Sequence, residues 1–399
     1  MTTRPNHVAV VGASAAGLAA AETLRREGYD GRLTFISAEE HLPYDRPPLS
    51  KQVLSGAWAP ERTALRDPAA ITALDADFLL GATATGLDPV ARRVHLAGDR
   101  ALDYDALVIT TGVAARRLPQ GHDLSGVQVL RTLDDALALR DRLRSEPKVV
   151  VVGAGVLGTE AAAAARRLGL SVTVVDPLPA PVIRQFGARI GSLVAGLHRE
   201  HGVRLLTGTG VDSLSAADGR VTGVRLTNGM ALDADLVLVA IGSVPGTAWL
   251  AGSGLSLSNG VDCDALCRAA PGIVAAGDVA SWAHPELGRI RVENRTNATE
   301  QAAAAARALL GKGSAYAPIP FFWTDQYDVR IQAYGFVPED AEPAVVVGDP
   351  AEGKFAALYG AQGEVVAALA WNLPRELRAL RQHVVSRTPW EQAVPPALR

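Results

Sequence analysis

The stretch VVVVGAGVLGTE at residues 149–160 decides the fold. Its four consecutive valines lack the alternation of a half-buried strand, and they read as a parallel strand covered on both faces. Gly153, Gly155 and Gly158 follow in G-x-G-x-x-G spacing, and an alanine-rich helix is predicted over 159–168. A second strand is predicted over 171–175, with Asp176 at its end. Three glycines and a carboxylate about 20 residues on, inside one strand–helix–strand unit, form a dinucleotide fingerprint. The glycines give the tight turn, the close approach of a pyrophosphate and the close packing of helix on strand. Asp176 can take both ribose hydroxyls of NAD. Pro177 and Leu178 follow it, with no arginine for a 2′-phosphate, so NADH is favoured over NADPH. Glu160 is more than the motif needs. On the first turn of the predicted helix it is either a simple partner of the helix dipole or a functional carboxylate.

A similar unit opens the chain. Residues 7–11 read as a strand, GASAAG at 12–17 as the turn, the following segment to about Glu27 as a helix, and 32–37 as the next strand. Gly12 and Gly17 keep the outer glycine places. Ser14 replaces the middle one, and serine is small enough to let a pyrophosphate reach the helix N-terminus. The ribose acid is Glu39 or Glu40, just beyond the second strand. Two nucleotide units in one chain suggest electron transfer between two bound cofactors.

A length of 399 residues predicts two or three domains, and 48% hydrophobic residues with 39 glycines fit a globular α/β protein. The net charge of −3 implies no nucleic-acid partner. No stretch is apolar enough for a membrane helix and the N-terminus does not read as a signal peptide, so a cytoplasmic protein is expected. The two cysteines, Cys263 and Cys267, are too few for a disulfide framework or for a four-cysteine metal or iron–sulfur site, so no metal is expected in the chain.

Between the two fingerprints lies PYDRPPLSK, residues 43–51. Three prolines preclude regular structure, and Ser50 is placed to cap a helix beginning at Lys51. This is either a rigid solvated loop or a cofactor clamp. Short strands are expected over 71–112, and Thr110-Thr111-Gly112 marks a domain crossing. A helix starts at residues 131–135, strands follow over 203–226 and 236–241 with turns at Asp218-Gly219 and Asn228-Gly229, and Gly242 before Pro245 marks the return crossing. The apolar strand at 273–276 ends in Gly277-Asp278, either a turn aspartate or a ligand for a polar cofactor chain. An alanine-rich helix is predicted over 298–310. FFWTDQYD at 321–328 then opens a small α+β domain whose terminal helix, about 374–385, carries Arg375, Arg378 and Arg381 against Glu376. Those arginines are either a docking patch or a solvated face.

These segments, in this order, resemble the FAD-dependent, pyridine-nucleotide ferredoxin reductases of the glutathione-reductase fold. The resemblance covers nearly the whole chain and rests most on residues 43–51 and 322–328, since the glycine turns are shared by many flavoproteins. It implies two nested Rossmann-like domains plus a small C-terminal α+β domain: FAD-binding over 1–112 and 241–317, NAD-binding over 113–240 and the last domain over 318–399. FAD would meet Gly12, Ser14, Ala16, Gly17, Arg46, Lys51, Ala84, Arg131 and Asp278, with Trp323 beside the flavin. NADH would meet Gly153, Gly155, Gly158, Glu160, Asp176 and Gly242. Lys51 and Glu160 would be the catalytic pair, with Lys51 favouring reduced flavin electrostatically. The resemblance further implies that electrons pass singly to a small two-iron, two-sulfur ferredoxin that serves an oxygenase; a monomer is the simplest expectation.

The chain departs from the family's pattern in several places. Ser14 stands where glycine is common. Ala38 stands where an aspartate is common, which leaves the adenosine ribose to Glu39. Val156 stands in place of the fingerprint tyrosine. Arg295 stands where tryptophan or valine is usual, in the segment beside the flavin. A rubredoxin reductase would share most of these motifs, and a signalling flavoprotein like apoptosis-inducing factor shares the 43–51 loop. An NADH oxidase fits less well, because His41, Leu42 and Pro43 occupy the place of its redox cysteine.

Overall fold

Val8, Val10, Ala9 and Val11 are all buried, although alternate residues of a strand face opposite ways. Their strand, His7–Val11, is therefore covered on both sides, as its uninterrupted apolar run requires. The structure is a computed structural model describing residues 4–145, 147–338 and 341–398. It divides into two units.

The first unit comprises residues 1–45, 61–114 and 244–318. Its main sheet has six strands in the order Arg268–Ala270, Ile273–Ala275, Ala106–Ile109, His7–Val11, Arg32–Ile36 and Asp77–Leu79. All pair in parallel except the first, which runs antiparallel to its neighbour. Val8, Val10, Phe35 and Val108 point to one face. There they meet Ala20, Ala21 and Leu24 of the helix Ala15–Arg26 and Ala302, Ala305 and Ala306 of the helix Arg295–Leu309. The alanines explain the close helix pairing. The other face, with Ala9, Val11, Leu107 and Ile109, packs on Val94, Leu96, Val261 and Trp282 from two small three-stranded sheets.

The second unit comprises residues 46–60, 115–243 and 319–399. Its parallel sheet has the order Arg204–Thr207, Val172–Asp176, Val149–Val152, Leu236–Val239 and Val127–Gln128. The helix Leu133–Leu143 is started by a capping box, with the Thr132 side chain on the Asp135 amide and the Asp135 carboxylate reaching back. The C-terminal part is a five-stranded antiparallel sheet, ordered Phe321–Gln326, Val329–Gly335, Glu364–Trp371, Lys354–Ala361 and Ala344–Asp349. Its two faces follow the period of two. Ile331, Ala333, Tyr359 and Leu369 pack on Phe186, Ile190 and Val194 of the helix Ile183–Glu200. Ala356, Leu358 and Ala368 pack on Leu377 and Val384 of the helix Pro374–Val385. Arg375, Arg378 and Arg381 are on that helix's exposed side.

Four local expectations change. Residues 71–73, expected within a run of short strands, complete the helix Pro68–Ala73, which Asp67 caps by accepting from the Ala70 amide. The fingerprint helix begins at Val156 and not at residue 159, so Glu160 lies beyond its first turn and the dipole reading does not account for it. The helix predicted over 298–310 begins at Arg295, because Asn294 caps it by accepting from the Asn297 amide at 2.7 Å. Ser50 caps no helix: it lies inside a short π-helical turn, Leu49–Val53, whose N-cap is Pro48.

Candidate active site

Both glycine turns are built alike. In the first unit Gly12 has φ +112°, and a Cβ there would lie 2.2 Å from the Thr110 carbonyl oxygen. A Cβ on Gly17 would lie 2.0 Å from the Gly12 oxygen, so only glycine allows this approach of helix to strand. In the second unit Gly153 has φ +109° and its Cβ would meet the Ala240 oxygen at 2.3 Å, while a Cβ on Gly158 would meet the Gly153 oxygen at 1.9 Å. Gly155 differs, since nothing lies within 4 Å of its Cβ position. Ser14 and Gly155 occupy the N-cap positions, and neither supplies a side-chain cap. Each helix start thus leaves backbone N–H donors facing an open, glycine-lined turn, which is the chemistry a pyrophosphate needs. The residues present fit a dinucleotide in each unit.

Around the first turn, Glu39 is half-buried and accepts the Tyr44 hydroxyl. Asp278 sits in a 3-10 turn after the strand Ile273–Ala275, and a Cβ on its neighbour Gly277 would be 3.1 Å from the Ala16 Cβ. The Asp278 turn therefore adjoins the helix start at Ala16. Ala84 begins the strand Ala84–Asp88 and is half-buried. Arg295 is the first residue of its helix, where a cation opposes the dipole, and its guanidinium pairs with Asp45.

Around the second turn, Asp176 is 8% exposed. One carboxylate oxygen accepts from the Ala154 amide at 2.6 Å and the other from the Leu178 amide at 2.7 Å. A carboxylate has about four acceptor sites, so this anchoring leaves capacity for ribose hydroxyls. Gly242 has φ +95°, and its carbonyl accepts from the Arg116 amide at 3.0 Å. Arg46 donates to the Arg131 carbonyl at 2.7 Å. Trp323 is half-buried in the strand Phe321–Gln326, its ring 6.0 Å from that of Phe321.

The most concentrated chemistry surrounds Glu160, which is 5% exposed. Lys51 Nζ donates to its Oε2 at 2.8 Å and Ser50 Oγ donates to the same oxygen at 2.6 Å. Thr324 Oγ1 donates to Oε1 at 2.8 Å. Three donors and an opposite charge offset the cost of burying this carboxylate. Lys51 and Glu160, named from sequence, are thus brought together. Ser50 as a donor and Thr324 were missed. The signal for Thr324 was its place in FFWTDQYD, where Thr324 and Gln326 share one face of a strand and both are buried.

Cys263 and Cys267 are free and buried, and burial pushes the Cys263 thiol up to about 12 and Cys267 higher than its ordinary value. Neither is poised for thiol chemistry at neutral pH.

Residues 6–306 match the pyridine nucleotide-disulphide oxidoreductase family, and residues 321–394 match the reductase C-terminal family. The chain belongs to the pyridine nucleotide-disulphide oxidoreductase family. It is similar to a ferredoxin–NAD(P)(+) reductase of Sphingomonas sp, 38% identical over 92% of this chain and 90% of that one. It is also similar to the rhodocoxin reductase of Rhodococcus erythropolis, 35% identical over 96% and 90% of the two chains. Among solved structures it resembles putidaredoxin reductase, captured in a covalent complex with putidaredoxin, with a TM-score of 0.91, 32% identity and coverage of 97% and 94%. The expected ferredoxin-reductase type and its α/β architecture with a separate C-terminal domain therefore stand. Among the described residues no helix is long and apolar enough to cross a membrane.

Proposed function

We propose that this protein is an NADH:ferredoxin oxidoreductase, taking hydride from NADH onto bound FAD and delivering electrons to a small two-iron, two-sulfur ferredoxin that serves an oxygenase. The observation that carries it is the pair of glycine cradles, one in each unit, each with an uncapped helix start. The similarity to a relative named as a ferredoxin–NAD(P)(+) reductase supports the acceptor. A cytoplasmic monomer is the simplest state for a carrier that meets a diffusing partner.

In the first unit, Gly12, Ser14, Ala16 and Gly17 hold the FAD pyrophosphate, Glu39 its adenosine ribose and Asp278 its polar chain. In the second, Gly153, Gly155 and Gly158 hold the pyrophosphate of NADH and Asp176 its ribose. Bound FAD supplies the chemistry that turns a two-electron donor into single electrons. The protein binds and orients. Lys51, held by Glu160 at 2.8 Å, would supply a cation that stabilises negative charge on the bound cofactor. Arg46, Ala84, Arg131, Gly242, Arg295 and Trp323 complete the proposed cofactor contacts.

The test is to mix the purified yellow protein with NADH and a two-iron ferredoxin and to follow the cluster's absorbance. Rapid flavin bleaching followed by cluster reduction is the expected result. Flavin bleaching with a rubredoxin, and not a ferredoxin, reduced would overturn the acceptor. No bleaching by NADH would overturn the donor.

A further inference from the structure

Thr324 is one link in a longer buried chain. Gln326 Nε2 lies 2.8 Å from Thr159 Oγ1 and 3.3 Å from Thr324 Oγ1, and Gln326 Oε1 lies 2.7 Å from His198 Nε2. Thr324, Gln326, Thr159 and His198 are all at most 1% exposed. The direction of every bond is determined. The Thr159 hydroxyl donates to backbone oxygen, Gly155 at 2.9 Å or Val156 at 3.0 Å, so it accepts from the Gln326 amide. That fixes the amide's orientation and turns Oε1 to His198, which must then donate from Nε2. His198 Nδ1, buried and without a hydrogen-bond partner, is left as a bare acceptor, which costs less than a stranded N–H. Burial lowers the His198 pKa, so the neutral imidazole this pattern needs is the favoured form. Receiving the Gln326 N–H leaves the Thr324 proton to point at Glu160 Oε1.

We propose that Thr324 and Gln326, backed by His198, are positioning residues for the Glu160–Lys51 pair. The C-terminal sheet sets which carboxylate oxygen faces the lysine. With Oε1 held by Thr324, Oε2 is fixed toward Lys51 and Ser50, and the ammonium has one place to stand. Gln326 also ties this arrangement to the nucleotide turn, since Thr159 carries its bond on toward Gly155 or Val156. The inference rests on the NADH reductase reading and deepens it.

The experiment uses the FAD-loaded protein and the set wild type, Thr324→Val, Lys51→Met and the double variant, with Thr324→Ser as rescue. Flavin reduction by NADH is followed by stopped flow, and resistance to denaturant is measured on the same samples. Thr324→Val should slow flavin reduction about tenfold, the usual scale for a lost hydrogen bond to a charged group. Thr324→Ser should restore it. In the Lys51→Met background the Thr324→Val change should have little further effect on rate, and the two should be non-additive in stability. If Thr324→Val does not fold, Gln326→Glu replaces it, because a carboxylate still accepts from His198 but cannot donate to Thr324. Wild-type rates in Thr324→Val, or independent effects of the two substitutions, would overturn the positioning role. A wild type that NADH cannot reduce would instead overturn the reductase reading.

Discussion

Gly155→Ala separates nucleotide binding from folding. Gly155 has φ −71° and ψ −175°, values any L-residue adopts, and no atom within 4 Å of its Cβ position. Alanine there strains nothing, and by restricting the unfolded chain it should change stability by about +0.4 to +1 kcal/mol. The added methyl occupies the approach to the uncapped helix start. A pyrophosphate pushed outward loses at least one charge-assisted hydrogen bond, about 1.5–3 kcal/mol, so the Kd for NAD should rise about tenfold to a hundredfold. Gly158→Ala is the contrast. Its Cβ would lie 1.9 Å from the Gly153 oxygen and 3.3 Å from Val151 Cγ1. Ordinary C···O contact is about 3.3 Å, so helix and strand must part, at a cost of about 1–3 kcal/mol or more. Calorimetric titration with NAD and thermal unfolding of the same samples provide the check. Gly155→Ala should bind weakly and melt no lower than wild type, and Gly158→Ala should lose both. Wild-type affinity in a well-folded Gly155→Ala protein would refute the placement of the pyrophosphate at this helix.

Three further outcomes follow from the site and its surroundings. Because His198 has a lowered pKa in the folded state, only the unfolded chain takes up its proton as pH falls through the ordinary value of 6.5; stability present above that pH should be lost below it. Denaturant unfolding at pH 7.5 and 5.5 should show a smaller acid loss in His198→Gln than in wild type, and equal losses would exclude the histidine as a cause. Asp176, anchored by two amides, should repel a 2′-phosphate, so kcat/KM should favour NADH over NADPH by about tenfold or more; a preference for NADPH in steady-state assays would contradict this. If the exposed Arg375, Arg378 and Arg381 steer an acidic ferredoxin, its stopped-flow reduction should slow as salt rises, whereas a flat rate would remove electrostatic docking from that helix.

The sequence disclosed the elements whose physics is local. Four valines before a glycine turn dictate a buried parallel strand, and Gly153 and Gly158 are needed where backbone meets backbone. Lys51 with Glu160 was readable only through the resemblance, because 109 residues separate them. The rest of the cluster was not readable at all. Thr324 and Gln326 look like ordinary alternating polar residues until the strand buries them. His198 lies in LHREHGV, where nothing local marks it as a donor to residue 326. The helix starts lie about one turn earlier than expected because the N-cap position, Gly155 in one case and Asn294 in the other, depends on backbone angles that composition does not specify.

Arg295 shows how an unfavourable charge at a helix start is absorbed. An arginine at the first position of a helix faces the positive end of the dipole, so its charge is unfavourable there in isolation. Asp45 lies 250 positions earlier in sequence, yet its carboxylate receives the guanidinium, and both side chains are partly shielded, at 25% and 33% exposure. The charge that the helix start cannot tolerate is therefore neutralised from the PYDRPPLSK segment. Asp45 is thereby held to the helix Arg295–Leu309, and the Asp278 turn is tied to the same helix by the Gly277 amide, which donates to Gln301 Oε1 at 2.9 Å. The cation at residue 295 is thus met by an ion pair within the first unit, on the helix that also anchors the Asp278 turn proposed for FAD.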